Sequence, residues 1–336
     1  MPSVVLEVQS LSVAASTTEM GTVSLIRDVS LTLNANEVVG LIGESGSGKT
    51  TVVRSLIGNL ARNCQIDSGR VSIAGDEVLA PGIDRLASVR GKHVGVIFQN
   101  AMSALNPLMK IRNQIEEVLE RHEPKLNARQ RYERIRANLA RLGFEHIDTV
   151  LRSYPHHLSG GMRQRISIAL ATVLEPELII ADECTTALDV TTQAEVVHLL
   201  EELAARERAS LLFVTHDLML AAELCTRIIV MYAGQVVESG PVEQLLRRPL
   251  HPYTQALLQA VPSWGPRRNL RGIPGSPPLV QEEAVGCRFA SRCEFAIPAC
   301  TEQDVLWHDV SEEHGHRCLR VDELFSREAG DRRAEA

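Results

Sequence analysis

Residues 38–50 read Val38-Val39-Gly40-Leu41-Ile42-Gly43-Glu44-Ser45-Gly46-Ser47-Gly48-Lys49-Thr50, and Thr51-Val52-Val53-Arg54-Ser55-Leu56 follows. A short apolar run, a glycine-rich turn and a helix-compatible stretch succeed one another. The turn fits GxxxxGK[ST] in the strand–loop–helix setting that this motif requires. Its glycines let backbone N–H groups from Gly43 to Thr51 turn inward around phosphates, and the helix start adds a favourable dipole. Lys49 is expected to reach the β and γ phosphates, and Thr50 to offer its hydroxyl to Mg²⁺. A flexible Gly/Ser linker is the bland alternative, but linkers do not lie between a buried strand and a helix with Lys-Thr in register.

Similar apolar runs recur downstream: HVGVIFQ, LIIADE, LLFVTHD and RIIVMYAG. Such runs suit strands covered on both faces, as in a parallel sheet layered with helices. The first 35 residues alternate loosely and predict antiparallel strands with a turn near Gly21. The Arg-, Glu- and Leu-rich stretch from about Arg112 to Leu142 predicts a helical insertion. The reading is an α/β P-loop NTPase fold: a mixed sheet with an antiparallel N-terminal part and a helical subdomain at about 100–175. Past Gly240 proline and glycine become frequent, and a boundary is expected near 245. Residues 246–322 then form a small irregular extension, and 323–336 a disordered tail.

Bulk composition narrows the function. A formal net charge of −7 offers no basic stripe for a phosphate backbone, so nucleic-acid binding is not expected. The most apolar stretch, Ile166 to Leu174, carries Ser167 and Thr172 and is about half of what a bilayer crossing needs. The start, MPSVVLEVQS, lacks a signal-peptide pattern. A cytoplasmic chain is expected, with any membrane role supplied by a partner.

Two further motifs complete a catalytic set. Asp182-Glu183 ends the LIIADE run, where Asp182 can hold Mg²⁺ and Glu183 can polarise an attacking water. Leu158-Ser159-Gly160-Gly161 precedes an apolar helical pattern and makes a second anion-binding helix start. An acidic strand end or a Ser-Gly-Gly cap is ordinary alone; the ordered set is not. Together these segments resemble an ABC-type ATPase domain. The resemblance implies that Gln99 senses Mg²⁺ and water and contacts a transmembrane partner. It implies that Ala187-Leu188-Asp189 crosses a dimer interface and that His216 contacts the γ-phosphate. It also implies that Ser159 and Gly161 of one subunit donate to the ATP held by another.

FQNAMSALNPLMKI, LSGGMRQRISIAL, ADECTTALDVTTQAEV, LHPYTQALLQAVP, IPGSPP and GCRFASRC are similar to ATP-binding subunits of oligopeptide, dipeptide and nickel importers. The likeness runs from about residue 4 to about residue 322. It implies a peripheral subunit on the cytoplasmic face of a bacterial inner membrane. It also implies a second ATPase subunit, identical or homologous, two permeases and an extracytoplasmic solute-binding protein. An exporter subunit and a soluble ATPase acting on nucleic acid or translation are the alternatives.

Two departures and one cluster stand out. The first aromatic residue is Phe98, so no ring stands at Ala15, where the family stacks adenine. Weaker nucleotide affinity is expected, with Val13 or Leu25 against the base. Cys184 occupies the family's proline position after the catalytic glutamate, and hydrolysis is expected to survive. Cys287, Cys293, Cys300 and Cys318 lack paired CxxC spacing. Four thiolates are compatible with an iron–sulfur cluster, and some importer ATPases that the tail resembles carry a [4Fe-4S] cluster on such cysteines. Zinc stays open because His314 and His316 lie near Cys318; free thiols stay open too.

Overall fold

The computed structural model describes residues 3–18, 21–186, 188–207, 209–261, 272–278, 285–311 and 313–324. Ala187 and most of the expected tail, from residue 325 on, lie outside these. β1 (Val4–Thr17) and β2 (Gly21–Asn34) pair antiparallel, with register shifts along their length. β3 (Val38–Ile42) leads into the glycine-rich loop, and α1 (Lys49–Leu56) leaves it. β4 (Cys64–Ile73), β5 (Asp76–Ala80) and β6 (Ile83–Asp84) complete an antiparallel sheet of order β2-β1-β4-β5-β6. β7 (Val94–Ile97) opens the helical segment of α2 (Ala101–Ala104), α3 (Ile111–His122), α4 (Ala128–Arg141), α5 (Ile147–Arg152) and α6 (Gly160–Thr172). The expected insertion is thus two helices. They break where Asn127 and Gln130 form a reciprocal capping box at the start of α4.

β8 (Leu178–Asp182), α7 (Val190–Glu207), β9 (Ser210–Thr215), α8 (Leu218–Leu224), β10 (Arg227–Tyr232) and β11 (Gln235–Pro241) follow. The chain continues through α9 (Val242–Arg247), α10 (Pro252–Ala260), α11 (Ala299–Glu302), β12 (His308–Asp309) and β13 (Gly315–His316). The second sheet has the order β12-β13-β11-β10-β3-β9-β8-β7, with β10, β3, β9, β8 and β7 mutually parallel. This sheet is the middle layer. Leu211 and Phe213 of β9 face a core shared with the helices, while Leu212 and Val214 face a core under the antiparallel sheet. Val52, Val53 and Leu56 of α1 fill that second core.

The C-terminal segment is bound into the same framework. β13 pairs with β11 through Glu238 opposite His316 and Ser239 opposite Gly315, and Tyr253 and Phe289 lie in the helical-side core. Among the described residues no helix is long and apolar enough to cross a membrane.

The metal expectation for the cysteines needs correction. Cys287, Cys293, Cys300 and Cys318 do line one cavity, but it measures about 20 Å³ and is walled by Phe289 and Phe295. That is room for one water. Burial pushes the Cys287 thiol up to about 12 and Cys318 up to about 11, and raises Cys293. His314 is taken by Glu238 and Gln244, and His316 accepts the Cys318 N–H. Among the described residues no group of three or more His, Cys, Asp or Glu could hold a metal. The [4Fe-4S] cluster and its zinc alternative are therefore withdrawn; the four residues are free thiols.

Candidate active site

Because β3, β9, β8 and β7 are parallel neighbours, the residue after each strand arrives at one edge of the sheet. Carboxyl ends of such strands are where open α/β sheets bind ligands. The loop of 43–50 follows β3, His216 follows β9, Glu183 follows β8, and Gln99 lies just beyond β7. Two loop glycines are dictated by geometry. Gly48 has φ 100°, and a Cβ there would lie 2.8 Å from Ile26 Cγ2. At Gly43, φ 157°, a Cβ would meet the Met231 carbonyl at 2.2 Å. No other residue fits either position.

Lys49 is 3% exposed and donates through Nζ to the Gly43 carbonyl at 2.8 Å and the Glu44 carbonyl at 3.1 Å. Its Nζ stands 3.7 Å from Glu183 Oε1. Burial lowers the Lys49 pKa, while the charges of Glu183 and Asp182 hold it up. Gln99 Nε2 donates to Glu183 Oε2 at 3.3 Å, and His216 Nδ1 lies 3.9 Å from Oε1. Glu183 itself has φ 46°, a strained value for a side-chain-bearing residue, and its N–H is tied to the Val214 carbonyl at 2.9 Å. Cys184 behind it is 1% exposed, with its thiol pushed up to about 12 by burial, so it serves as small apolar packing.

Asp182 tests whether the cluster suits a divalent cation. It is 7% exposed, and its Oδ1 is buried with no hydrogen-bond partner. Burial, then the neighbouring Glu183 charge, raise its pKa to about 6, against the pull of Lys49 and the Thr50 hydroxyl. An orphaned carboxylate oxygen beside a threonine hydroxyl is a donor set suited to Mg²⁺. The fit is met.

A second group gathers elsewhere. Ser159 caps α6, accepting the Met162 N–H at 3.2 Å. Asp189 caps α7 through the Thr192 N–H at 3.0 Å, a contact that lowers its pKa, and through the Thr192 hydroxyl at 2.8 Å. A Cβ on Gly161 would approach Thr192 Cγ2 at 3.1 Å, whereas one on Gly160 meets nothing within 4 Å. So Ser159, Gly160, Gly161 and Asp189 form one patch, and they share no described hydrogen bond with Lys49 or Glu183.

For the adenine side, Val13 is wholly buried in the core and is not offered to a base; Leu25 is half-buried. Ala15 is 6% exposed and is flanked in register by Val23 and Cys64. Spacing alone missed Arg292 and Tyr253. Arg292 grips the Glu44 carboxylate and Tyr253 Oη accepts the Glu44 N–H at 2.8 Å, from 248 and 209 residues away. No local pattern could have found them.

Comparisons agree with this geometry. Residues 26–186 match the ABC transporter family, and 237–300 match the oligopeptide/dipeptide transporter C-terminal region. A Brucella ovis protein named as a peptide import ATP-binding protein is 41% identical over 312 residues, covering 89% of this chain and 92% of its own. The dipeptide transport ATP-binding protein DppD of Lactococcus lactis is 38% identical over 311 residues, covering 92% of this chain and 89% of its own. Among solved structures, the dimeric bacterial ABC transporter cassette MJ0796 matches 70% of this chain and 98% of its own at 27% identity, with a TM-score of 0.60. The chain belongs to the ABC transporter family, as an ATP-binding and ATP-hydrolysing subunit of the oligopeptide/dipeptide type.

Proposed function

We propose that the chain drives import of peptides or a related solute through two permease subunits at the cytoplasmic face of a bacterial inner membrane. An extracytoplasmic solute-binding protein feeds those permeases. In the proposed site Gly43, Glu44, Ser45, Gly46, Ser47, Gly48, Lys49, Thr50 and Thr51 cradle the phosphates. Glu183 primes the water, oriented by Gln99 and His216. Thr50, Asp182 and Gln99 would hold Mg²⁺, which would neutralise phosphate oxygens. Ser159, Gly160, Gly161 and Asp189 serve the nucleotide of a second ATPase subunit, identical or homologous. In keeping with this reading, MJ0796 is described as a dimer, in one case with ADP and phosphate.

The observation that carries the reading is that the two groups share no described hydrogen bond. One surrounds an orphaned carboxylate; the other is an exposed patch with its helix starts already capped. Residues 1–245 act in this proposal as the ATPase domain, 246–322 as the extension and 323–336 as the tail. The C-terminal family match and the import names of the relatives favour import over an exporter or a nucleic-acid ATPase. The test is solute uptake by vesicles holding the assembled complex. Uptake should need ATP and an intact Lys49; uptake that survives Lys49→Ala would remove the proposal.

A further inference from the structure

Glu44, the second residue of the phosphate loop, places a carboxylate where a polyanion is to bind. The structure shows what becomes of that charge. Arg292 Nη1 meets Glu44 Oε2 at 2.7 Å and Nη2 meets Oε1 at 3.2 Å. Arg292 is held in turn: Nε donates to the Pro274 carbonyl at 2.8 Å and Nη1 to Tyr232 Oη at 3.2 Å. Its guanidinium lies 5.7 Å from the Tyr232 ring centre and 6.0 Å from that of Phe289. The rings of Tyr232, Tyr253 and Phe289 pack on one another at 4.6 to 5.4 Å. The arginine side chain is 4% exposed and the glutamate 26%. A two-pronged pair anchored in an aromatic pocket differs from a solvated surface pair: it is strong, and it fixes direction.

We propose that Arg292 is a positioning residue for nucleotide binding, neutralising the Glu44 carboxylate and holding it off the phosphates. The loop then presents N–H groups, and no uncompensated negative charge, to the triphosphate. Tyr253 fixes the Glu44 backbone from the same side. The C-terminal segment thereby becomes part of the nucleotide site. This rests on the site assignment proposed above.

The test uses the full chain in its assembled complex, with steady-state ATPase kinetics and thermal denaturation for each variant. Arg292→Gln should raise KM for Mg-ATP about tenfold, with kcat kept within about threefold. Arg292→Lys keeps the charge and loses the fork, so its rise should be smaller. Adding Glu44→Gln to Arg292→Gln should lower the raised KM by at least about threefold, because the exposed charge is gone while the loop backbone still meets the phosphates. A packing role would show no such rescue, since the double variant keeps the same hole. An Arg292→Gln KM within about twofold of wild type, or one unrelieved in the double variant, overturns the inference while Lys49→Ala still abolishes turnover. If Lys49→Ala turns over normally, the site assignment falls and this inference with it. Should Arg292→Gln not fold, Arg292→Met serves in its place: a KM within about twofold of wild type at normal Tm overturns the inference equally.

Discussion

Asp182 and Glu238 are both buried carboxylates, one at the catalytic edge of the sheet and one beneath the C-terminal segment. Glu238, 0% exposed, accepts the Leu250 N–H at 2.7 Å and the His251 N–H at 2.8 Å, and meets His314 Nε2 at 2.9 Å. Every demand is met from within. Asp182 keeps an oxygen without a partner and a pKa raised to about 6. Its neighbour Glu183 holds a strained backbone. The satisfied burial of Glu238 is architectural, whereas the unpartnered Asp182 oxygen, at the strand ends beside the phosphate loop, suits a ligand. The same contrast explains the cysteines. They line a cavity that is nearly full, and burial raises the Cys287, Cys293 and Cys318 thiols.

The contrast breaks most easily at Glu183. Glu183→Gln should cut turnover of the assembled complex by about 10²- to 10³-fold, as loss of one aligned group does, while Tm hardly moves. A matching loss of Tm would make Glu183 architectural.

The C-terminal side is sharpened by acid. Burial lowers His251 from 6.5 to about 4, and its neutral ring accepts the Tyr253 N–H. The folded pKa is depressed, so between pH 6.5 and 4 the unfolded chain takes up a proton that the folded chain refuses. Stability of up to about 3 kcal/mol is present above pH 6.5 and is lost as pH falls through that window. His251→Asn keeps a capping acceptor and should flatten the slope of denaturant stability against pH; an unchanged slope would count against the satisfied-architecture view.

Removing an unsatisfied charge should stabilise. Asp182→Asn is expected to raise nucleotide-free stability by about 1–2 kcal/mol and to remove Mg²⁺-dependent turnover, read by melting in chelator and by ATPase assay. A lower melting point would place Asp182 with Glu238. The smallest effect belongs to the adenine side. Ala15→Tyr should tighten nucleotide binding by about 1 kcal/mol, the low end for a stacked base, because Val23 and Cys64 crowd the position. A titration without tightening contradicts it.

Much of the frame was legible. VVGLI, LIIAD and LLFVT read as two-faced buried strands and are β3, β8 and β9, since a parallel sheet between two cores demands continuous apolar runs. The loop glycines were legible because backbone geometry permits nothing else there. The strands at His308–Asp309 and Gly315–His316 were not, because two residues carry no periodicity. Arg292 was hidden for a different reason: its partner Glu44 lies 248 residues away and is set by tertiary folding.

The central claim is that the Ser159 patch completes a neighbour's site and leaves its own nucleotide alone. Gly160 offers the direct measurement, since a Cβ there meets nothing within 4 Å. With Gly160→Glu, ATP binding by the isolated chain should match wild type while ATPase turnover of the assembled complex falls about 100-fold. Normal turnover in that complex, or weakened binding by the isolated chain, would contradict it.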